Sequence, residues 1–326
     1  MPNFQGVWSL TAQLQYVESD WPFVPAQPRG IYAGGYTSSA QDNIQYIDIA
    51  TTGNTQDFGD LSAARLKGGA ASSRTRGLFM AGQNSSSADQ NIVEFITISS
   101  TGDVTDFGDL GITRTSNSAL NSSTRAVVTA GSGGTGAGDS MEYVTIASTG
   151  NGTDFGDPTG TVSQHASFSS PTRGINAGGR HGSSRVNVIE YITIASTGNS
   201  TDFGDMSAAR DNAVSACSNE TIGLIAGGEA SSGRVNTIDQ ITIASTANST
   251  DFGDLLAAAD NGATSSCSSA TRGIFWGLYP NSLSDVIQYV TIGSAGNAQD
   301  FGDLVAANRM GFSTSATNGG TAGGTL

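Results

Sequence analysis

The tetrapeptide Asp-Phe-Gly-Asp occurs six times in this chain of 326 residues, at intervals of 48 or 49 residues. A period of this length predicts a repeat architecture, in which each copy is one supersecondary unit that buries its apolar face against its neighbours. The copies begin at Asp57, Asp106, Asp154, Asp202, Asp251 and Asp300.

Each unit has the same internal order. A stretch of small residues leads to an apolar run that ends at Gly, and a variable polar loop follows. Next comes an alternating apolar segment such as Val188–Ile194, and a Thr-Gly-Asn turn then leads into Asp-Phe-Gly-Asp. Alternation with period two favours strand over helix, and apolar groups on both faces suit a sheet that is covered on both sides. We therefore predict an all-β fold, a β-propeller of four-stranded blades whose small-residue strands converge on the axis.

The repeats predict one domain that covers residues 1–326, with units at 18–66, 67–115, 116–163, 164–211, 212–260 and 261–309. Residues 310–326 repeat only the first two strands of a unit, and the alternating segment Val7–Val17 precedes the first small-residue strand, Trp21–Ala26. The simplest account is a seventh blade that both termini share (310–326 plus 1–17), because this arrangement hides both sheet edges. A six-bladed ring with loose ends is the alternative.

The formal net charge of −14, with one Lys among fourteen cationic side chains, argues against binding of nucleic acid or of an anionic membrane. No apolar run is long enough for a membrane-spanning helix, and the N-terminus has no signal-peptide pattern. We therefore expect no membrane insertion and no secretion. Cys217 and Cys267 are too few for a disulfide framework and are interpreted as small buried residues, with a disulfide as the alternative.

Asp-Phe-Gly also occurs in protein kinases, but that chemistry needs a Gly-rich loop, a strand Lys and a catalytic loop that this chain lacks. We interpret the motif as structural, with its Phe packed between blades. The aspartates leave Ca²⁺ as an alternative cofactor where none is otherwise expected. His165 and His181 have no nucleophile or acid at a telling spacing, so we predict that the chain is not an enzyme. The structural Phe residues are Phe58, Phe107, Phe155, Phe203, Phe252 and Phe301.

The loops after the Gly stop differ in length and chemistry from unit to unit, which is typical of a recognition surface on a rigid scaffold. Neutral drift in exposed loops is the alternative. The loops are 36–42, 83–90, 132–140, 180–185, 229–234 and 279–284. The side chains best suited to grip a sugar or a protein are Tyr36, Arg180, His181, Arg185, Arg234 and Tyr279.

The unit resembles the kelch repeat over residues from about 20 to 324. Arg65 and Arg210 stand ahead of the small-residue strand, and Gly178-Gly179 gives the glycine doublet. Tyr191 gives the aromatic of the third strand, and Phe203 stands where a kelch repeat has Trp. The resemblance implies propeller blades of the kelch type.

The segment 188–206 and its counterparts also resemble repeats in tail-fibre-like virion proteins of marine bacteriophages, cyanophages especially. That resemblance implies a virion protein, made in the host cytoplasm, whose partners are other virion proteins. One hypothesis is a tail or fibre component that binds a host surface glycan or protein through its loops. The alternatives are a structural or decoration protein that docks on another phage protein and, third, an intracellular kelch-type interaction module.

Overall fold

The computed structural model describes residues 28–212, 215–260 and 265–316. These residues form strands, isolated bridges and turns, and no helix occurs among them. The predicted all-β class is confirmed.

Most of the strands lie in six antiparallel sheets that share a core of four strands, here numbered along the chain and called first to fourth strand from one edge to the other. Sheet 1 contains Phe312–Ser315, Arg29–Ala33, Gln41–Asp48 and Gln56–Leu66; sheet 2 contains Gly69–Ser72, Arg76–Met80, Gln90–Thr97 and Thr105–Thr115; sheet 3 contains Ser118–Asn121, Arg125–Thr129, Met141–Thr145 and Thr153–Gly156. Sheet 4 contains Ala166–Ser169, Arg173–Ala177, Val188–Thr193 and Thr201–Asp205; sheet 5 contains Ser215–Ser218, Ile222–Ala226, Thr237–Thr242 and Thr250–Asp254; sheet 6 contains Ser266–Ser268, Arg272–Phe275, Ser284–Thr291 and Gln299–Asn308.

Two-residue strands lie in and beside the loops that join second to third strands. They are Gln83–Asn84, Ser132–Gly133, Val162–Ser163, Arg180–His181, Ser184–Arg185, Glu229–Ala230 and Gly233–Arg234.

The first strand of sheet 1 comes from the C-terminal tail. Phe312–Ser315 pairs antiparallel with Arg29–Ala33, whose other edge pairs with Gln41–Asp48. The position that the sequence assigned to Trp21–Ala26 is therefore taken by the tail, because a strand has only two edges to pair. Phe312–Ser315 completes sheet 1, and most of the expected closing blade, 310–326 plus 1–17, lies outside the described residues. Trp21–Ala26 and Val7–Val17 lie outside the described residues.

The first strands lie side by side in a closed sequence, sheet 1 against sheet 2 and onward until sheet 6 lies against sheet 1. A belt of buried hydrogen bonds joins equivalent positions along this sequence. Each serine hydroxyl of the belt donates to a main-chain oxygen in the preceding sheet, as Ser218 Oγ does to Ser169 at 2.7 Å. Between sheets 2 and 3 the Oδ1 atom of Asn121 accepts from the Ser72 amide at 3.3 Å. The belt consists of Ser72, Asn121, Ser169, Ser218, Ser268 and Ser315. Small side chains are needed here because the strands approach closely.

The Asp-Phe-Gly-Asp motif joins each fourth strand to the turn of the next sheet. In sheet 6, the amide of Asp303 donates to Asn54 Oδ1 at 3.0 Å, and Gly53 donates to the main-chain oxygen of Phe301 at 2.8 Å. The second Asp amide makes the equivalent bond in all six units, to Asp103, Asn151, Asn199, Asn248, Asn297 and Asn54. The six motif Phe side chains are at most 3% exposed.

Six clusters of buried apolar side chains fill the spaces between neighbouring sheets, and one of them joins sheet 6 to sheet 1. Cys217 lies between sheets 5 and 6, whereas Cys267 lies between sheets 6 and 1. Both cysteines are free and buried, and burial raises the pKa of both thiols. They therefore serve as small apolar side chains in two different clusters.

Candidate loop-face site

The loops between second and third strands all begin with the same main-chain contact. The first residue of each loop pairs with a residue of the preceding sheet that either ends its fourth strand or lies one to seven residues beyond that strand. We call these six pairs the loop junctions: Leu66–Gln83, Thr115–Ser132, Ser163–Arg180, Asp211–Glu229, Asp260–Tyr279 and Arg309–Tyr36. Because the belt joins equivalent positions of the first strands, the junctions lie at the same end of the sheets, which we call the loop face.

Among the junction residues, charged and aromatic side chains are confined to four consecutive junctions. The first two junctions carry only Leu66, Thr115, Gln83 and Ser132, none of which is charged or aromatic. The other four junctions, consecutive in the ring, carry every Arg, Asp, Glu and Tyr of the set. The backbone contact is the same at all six, so the difference lies in side chains alone.

Asp211 orients two arginines of this surface. Its carboxylate is fully buried and accepts from Arg180 Nε and Arg185 Nε, each at 2.7 Å. Arg185 Nη2 also lies 3.1 Å from Glu229 Oε1. The hydrogen bond to Asp211 raises the pKa of Arg185 further above its ordinary range. The two guanidinium groups remain about one third exposed, 37% and 29%, so they are held in position and still face solvent.

Tyr279 lies at the centre of the neighbouring part of the surface. The guanidinium carbons of Arg309 and Arg234 lie 4.5 and 4.9 Å from the centroid of its ring. Arg309 also lies 5.5 Å from the Tyr36 ring. Arg234 Nε donates to Asp260 Oδ2 at 2.8 Å. Burial raises the pKa of Asp260, and the hydrogen bond and charge of Arg234 oppose that rise. Stacked guanidinium and phenol groups of this kind are preorganised for contact with a partner.

A cleft of about 350 Å³ opens between the loops of sheets 3 and 4. One wall is the Gly-rich segment 131–139, and the other includes residues 161–163, Arg180 and Gly182. Because six of its thirteen wall residues are Gly, a ligand could approach main-chain groups directly there. Arg180 belongs both to this cleft and to the Asp211 cluster, so the two regions are continuous.

Of the six residues expected from the sequence, Arg180 and Arg185 meet at Asp211, whereas Tyr36, Arg234 and Tyr279 lie in the group around Arg309. His181 lies beside Arg180 on a two-residue strand and lines a small cavity with Glu190. Asp211, Asp260 and Arg309 were not expected from the sequence. Each stands eight residues after a motif Phe, where the other units have Leu, Thr or Ser, so a comparison of this one position across the repeats would have found them.

A buried chain of polar groups runs from His165 to Glu190. Ser167 Oγ donates to Asn176 Oδ1 at 2.7 Å, and Asn176 Nδ2 donates to Glu190 Oε1 at 3.2 Å. Thr129 Oγ1 therefore donates to Ser167 at 3.0 Å, which makes His165 Nε2 the donor to Thr129 at 2.8 Å. Burial lowers the pKa of His165 to about 3, and the nearby charge of His181 adds to this effect. His165 is a neutral structural residue near pH 7.

Within residues 28–212, 215–260 and 265–316, no group of three or more His, Cys, Asp or Glu side chains is placed to hold a metal ion. The first Asp of each motif is exposed, and the second uses its amide to bind the next sheet. In the same residues no helix has the length and apolar character needed to cross a membrane. A comparison with protein-family models and a search of curated proteins each found no match for this chain.

Proposed function

We propose that the chain is a six-bladed β-propeller that serves as the recognition module of a bacteriophage tail or fibre, and that its loop face binds a glycan or protein on the host surface. The chain is proposed as a binding module and not as an enzyme. The blade count is supported by the closed sequence of first strands, the six inter-sheet clusters and the pairing of Phe312–Ser315 with Arg29–Ala33.

The observation that carries the binding proposal is the clustering of interacting side chains on four consecutive loop junctions. Neutral drift would scatter charged and aromatic residues over all six junctions and would leave them without partners. Here Arg180 and Arg185 share Asp211, and Arg234 and Arg309 flank Tyr279. Tyr and Arg are the residues that most often dominate binding energy at interfaces. The repeats supply an internal control for drift. The belt and the Asp-Phe-Gly-Asp contacts are nearly the same in all six units, whereas the junction side chains differ.

The assignment to a phage particle rests on the resemblance of the segment 188–206 and its counterparts to tail-fibre-like virion proteins. The acidic character of the chain fits a particle surface that must stay soluble. Twelve of the 28 acidic residues are the motif aspartates, which are separate from the arginines of the loop face.

Binding of fluorescently labelled protein to a panel of marine cyanobacterial cells tests the proposal. Tyr279→Ala is expected to weaken binding at least about tenfold, equivalent to about 1.4 kcal/mol, because it removes the ring between two guanidinium groups. Gln83→Ala changes the equivalent loop position at an uncharged junction and is the matched control. Both variants should melt at the temperature of the parent protein. Equal binding by both variants would contradict the assignment of the site.

Immunogold labelling of purified phage particles tests the location. Gold at tail or fibre tips agrees with a receptor-binding component. Gold over the capsid or tail neck, together with no binding to any cell of the panel, would replace the proposal with the docking alternative. Particles without gold would exclude both virion functions and leave an interaction module in the infected cell.

A further inference from the structure

Three of the six interfaces between neighbouring sheets contain a buried arginine paired with a buried acid. The arginine stands seven residues after a motif Phe, and the acid lies on the third strand of the next sheet. The pairs are Arg65–Glu94, Arg114–Glu142 and Arg210–Asp239, and each side chain is at most 7% exposed.

The same three acceptors surround the guanidinium group in each case. Besides the carboxylate, Arg210 Nη1 donates to the main-chain oxygens of Gly227 at 3.0 Å and Thr237 at 3.1 Å. One of these oxygens comes from the residue after the second strand, and the other comes from the third strand, two residues before the acid. The counterparts are Ala81 and Ile92 for Arg65, and Ala130 and Ser140 for Arg114.

Two further interfaces have lost both charges together. In one of them, Ala259 stands at the arginine position and Gln288 at the acid position. In the other, Asn308 and Gln45 stand at these two positions. Joint loss is expected, because a buried carboxylate without a cation is strongly destabilising, whereas a neutral amide is tolerated.

The interface between sheets 3 and 4 has lost only the arginine. Val162 stands in its place, but Glu190 is retained and is 5% exposed. The two main-chain oxygens are also retained, since Gly178 and Val188 are the counterparts of Gly227 and Thr237. These residues line a cavity together with Val162, Asn176 and His181. Its volume is about 10 Å³ for the centre of a water-sized occupant, which is room for one water molecule.

Three hydrogen-bond donors surround the Glu190 carboxylate. Its Oε2 accepts from the Thr159 amide at 2.8 Å and from the Thr159 hydroxyl at 2.6 Å, and its Oε1 accepts from Asn176 Nδ2. No Arg or Lys forms an ion pair with Glu190 in the described part of the chain.

We propose that the Glu190 cavity is a binding site for a water-sized monovalent cation, potassium or ammonium. The Glu190 carboxylate and the main-chain oxygens of Gly178 and Val188 supply the acceptors that hold a guanidinium group at three other interfaces. A cation of this size replaces the charge of the missing arginine without displacing Val162. Calcium is disfavoured, because the single carboxylate that lines the cavity would leave one of its two positive charges uncompensated.

Thermal melting in choline chloride, with potassium or ammonium chloride titrated in at constant ionic strength, tests this site. The natural chain is expected to show a saturable rise in Tm of a few degrees, because a ligand that binds only the folded state stabilises it. Choline is too large for the cavity and supplies the baseline.

Glu190→Gln removes the charge and should abolish the ion-dependent rise, whatever its effect on the baseline Tm. Val162→Arg places a guanidinium group in the cavity and should abolish the rise while increasing the baseline. Ala259→Val changes the equivalent position of an uncharged interface and should leave the rise intact. Absence of the rise in the natural chain, or an equal rise in Glu190→Gln, would overturn the proposal. If Val162→Arg does not fold, Glu190→Gln alone decides.

Discussion

Arg272 Nη1 donates to the main-chain oxygen of Ile49 at 3.0 Å, although the two residues are separated by 223 positions in the chain. The guanidinium group also lies 4.8 Å from the centroid of the Tyr289 ring in its own sheet. This contact joins sheet 6 to sheet 1. The same contact, from an arginine of one sheet to a main-chain oxygen of the next, joins consecutive sheets along the chain. The equivalents are Arg29 with Ile98, Arg76 with Ile146, Arg125 with Ile194 and Arg173 with Ile243. Sheet 5 has Ile222 in place of the arginine and Gln240 in place of the aromatic residue. The two partners of the cation–π contact are therefore replaced together in this sheet.

Arg272→Ala is expected to lower the free energy of unfolding by about 1–3 kcal/mol, because it removes a hydrogen bond from a charged donor and a cation–π contact. Urea denaturation of the purified chain measures the change. Arg74→Ala, at an exposed turn position two residues before Arg76, is the control and should change stability by less than about 0.5 kcal/mol. If the two variants unfold at the same urea concentration, the contact between sheets 6 and 1 contributes nothing.

Gly302→Ala is expected to lower the free energy of unfolding by about 3 kcal/mol or more. Gly302 has φ of 150°, and a Cβ atom would lie 2.4 Å from the main-chain oxygen of Gly53. The substitution therefore combines backbone strain with displacement of the adjoining sheet. Thermal melting should show the loss, whereas Gly150→Ala, where a Cβ would meet nothing within 4 Å, should melt near the parent temperature. A tolerated Gly302→Ala would show that the motif Gly is not required by this contact.

The repeat itself made the sheets predictable, because period-two alternation and the recurring Gly stops mark strands locally. The partner of Arg29–Ala33 was not predictable in the same way. Both Trp21–Ala26 and Phe312–Ser315 stand where the repeat places a first strand, and the repeat does not say which of them pairs. That choice is made by contacts across nearly the whole chain, such as Ser315 with Ser268 in the belt.

The candidate site was predictable where variation is visible in the loops, as at Tyr36 and Tyr279. Arg309 and Asp211 were not expected from the sequence, because they follow a fourth strand and lie outside the variable loops. The sequence suggests that this segment is purely structural. Their role depends on the pairing of that segment with the next loop. The loop of His181 is also variable, but the contact of its side chain with the Glu190 cavity is not visible in the sequence.

Phe203→Ala is expected to lower the free energy of unfolding by about 3–5 kcal/mol. Phe203 is 2% exposed and packs edge-to-face on Tyr191, with ring centroids 6.2 Å apart. Val305→Ala, at a side chain that is 69% exposed, is the control and should be nearly neutral. Chemical denaturation of both variants measures the difference. A loss below about 1 kcal/mol for Phe203→Ala would contradict its place between the sheets.

His165 predicts the shape of the acid limb of the stability curve. Its pKa is about 3 in the folded chain, whereas an unfolded histidine has a pKa near 6.5. Below about pH 6.5 the unfolded chain takes up a proton that the folded chain does not, so this contribution to stability is complete above pH 6.5 and is lost as the pH falls towards 3. Between pH 6.5 and 4.5 the loss amounts to about 2–3 kcal/mol.

His165→Gln should show a smaller decrease in the free energy of unfolding over this range, measured by urea denaturation at each pH. His181→Gln, on the half-exposed loop strand, is the matched control. Parallel curves for the parent chain and His165→Gln would show that the burial of His165 does not determine the acid limb.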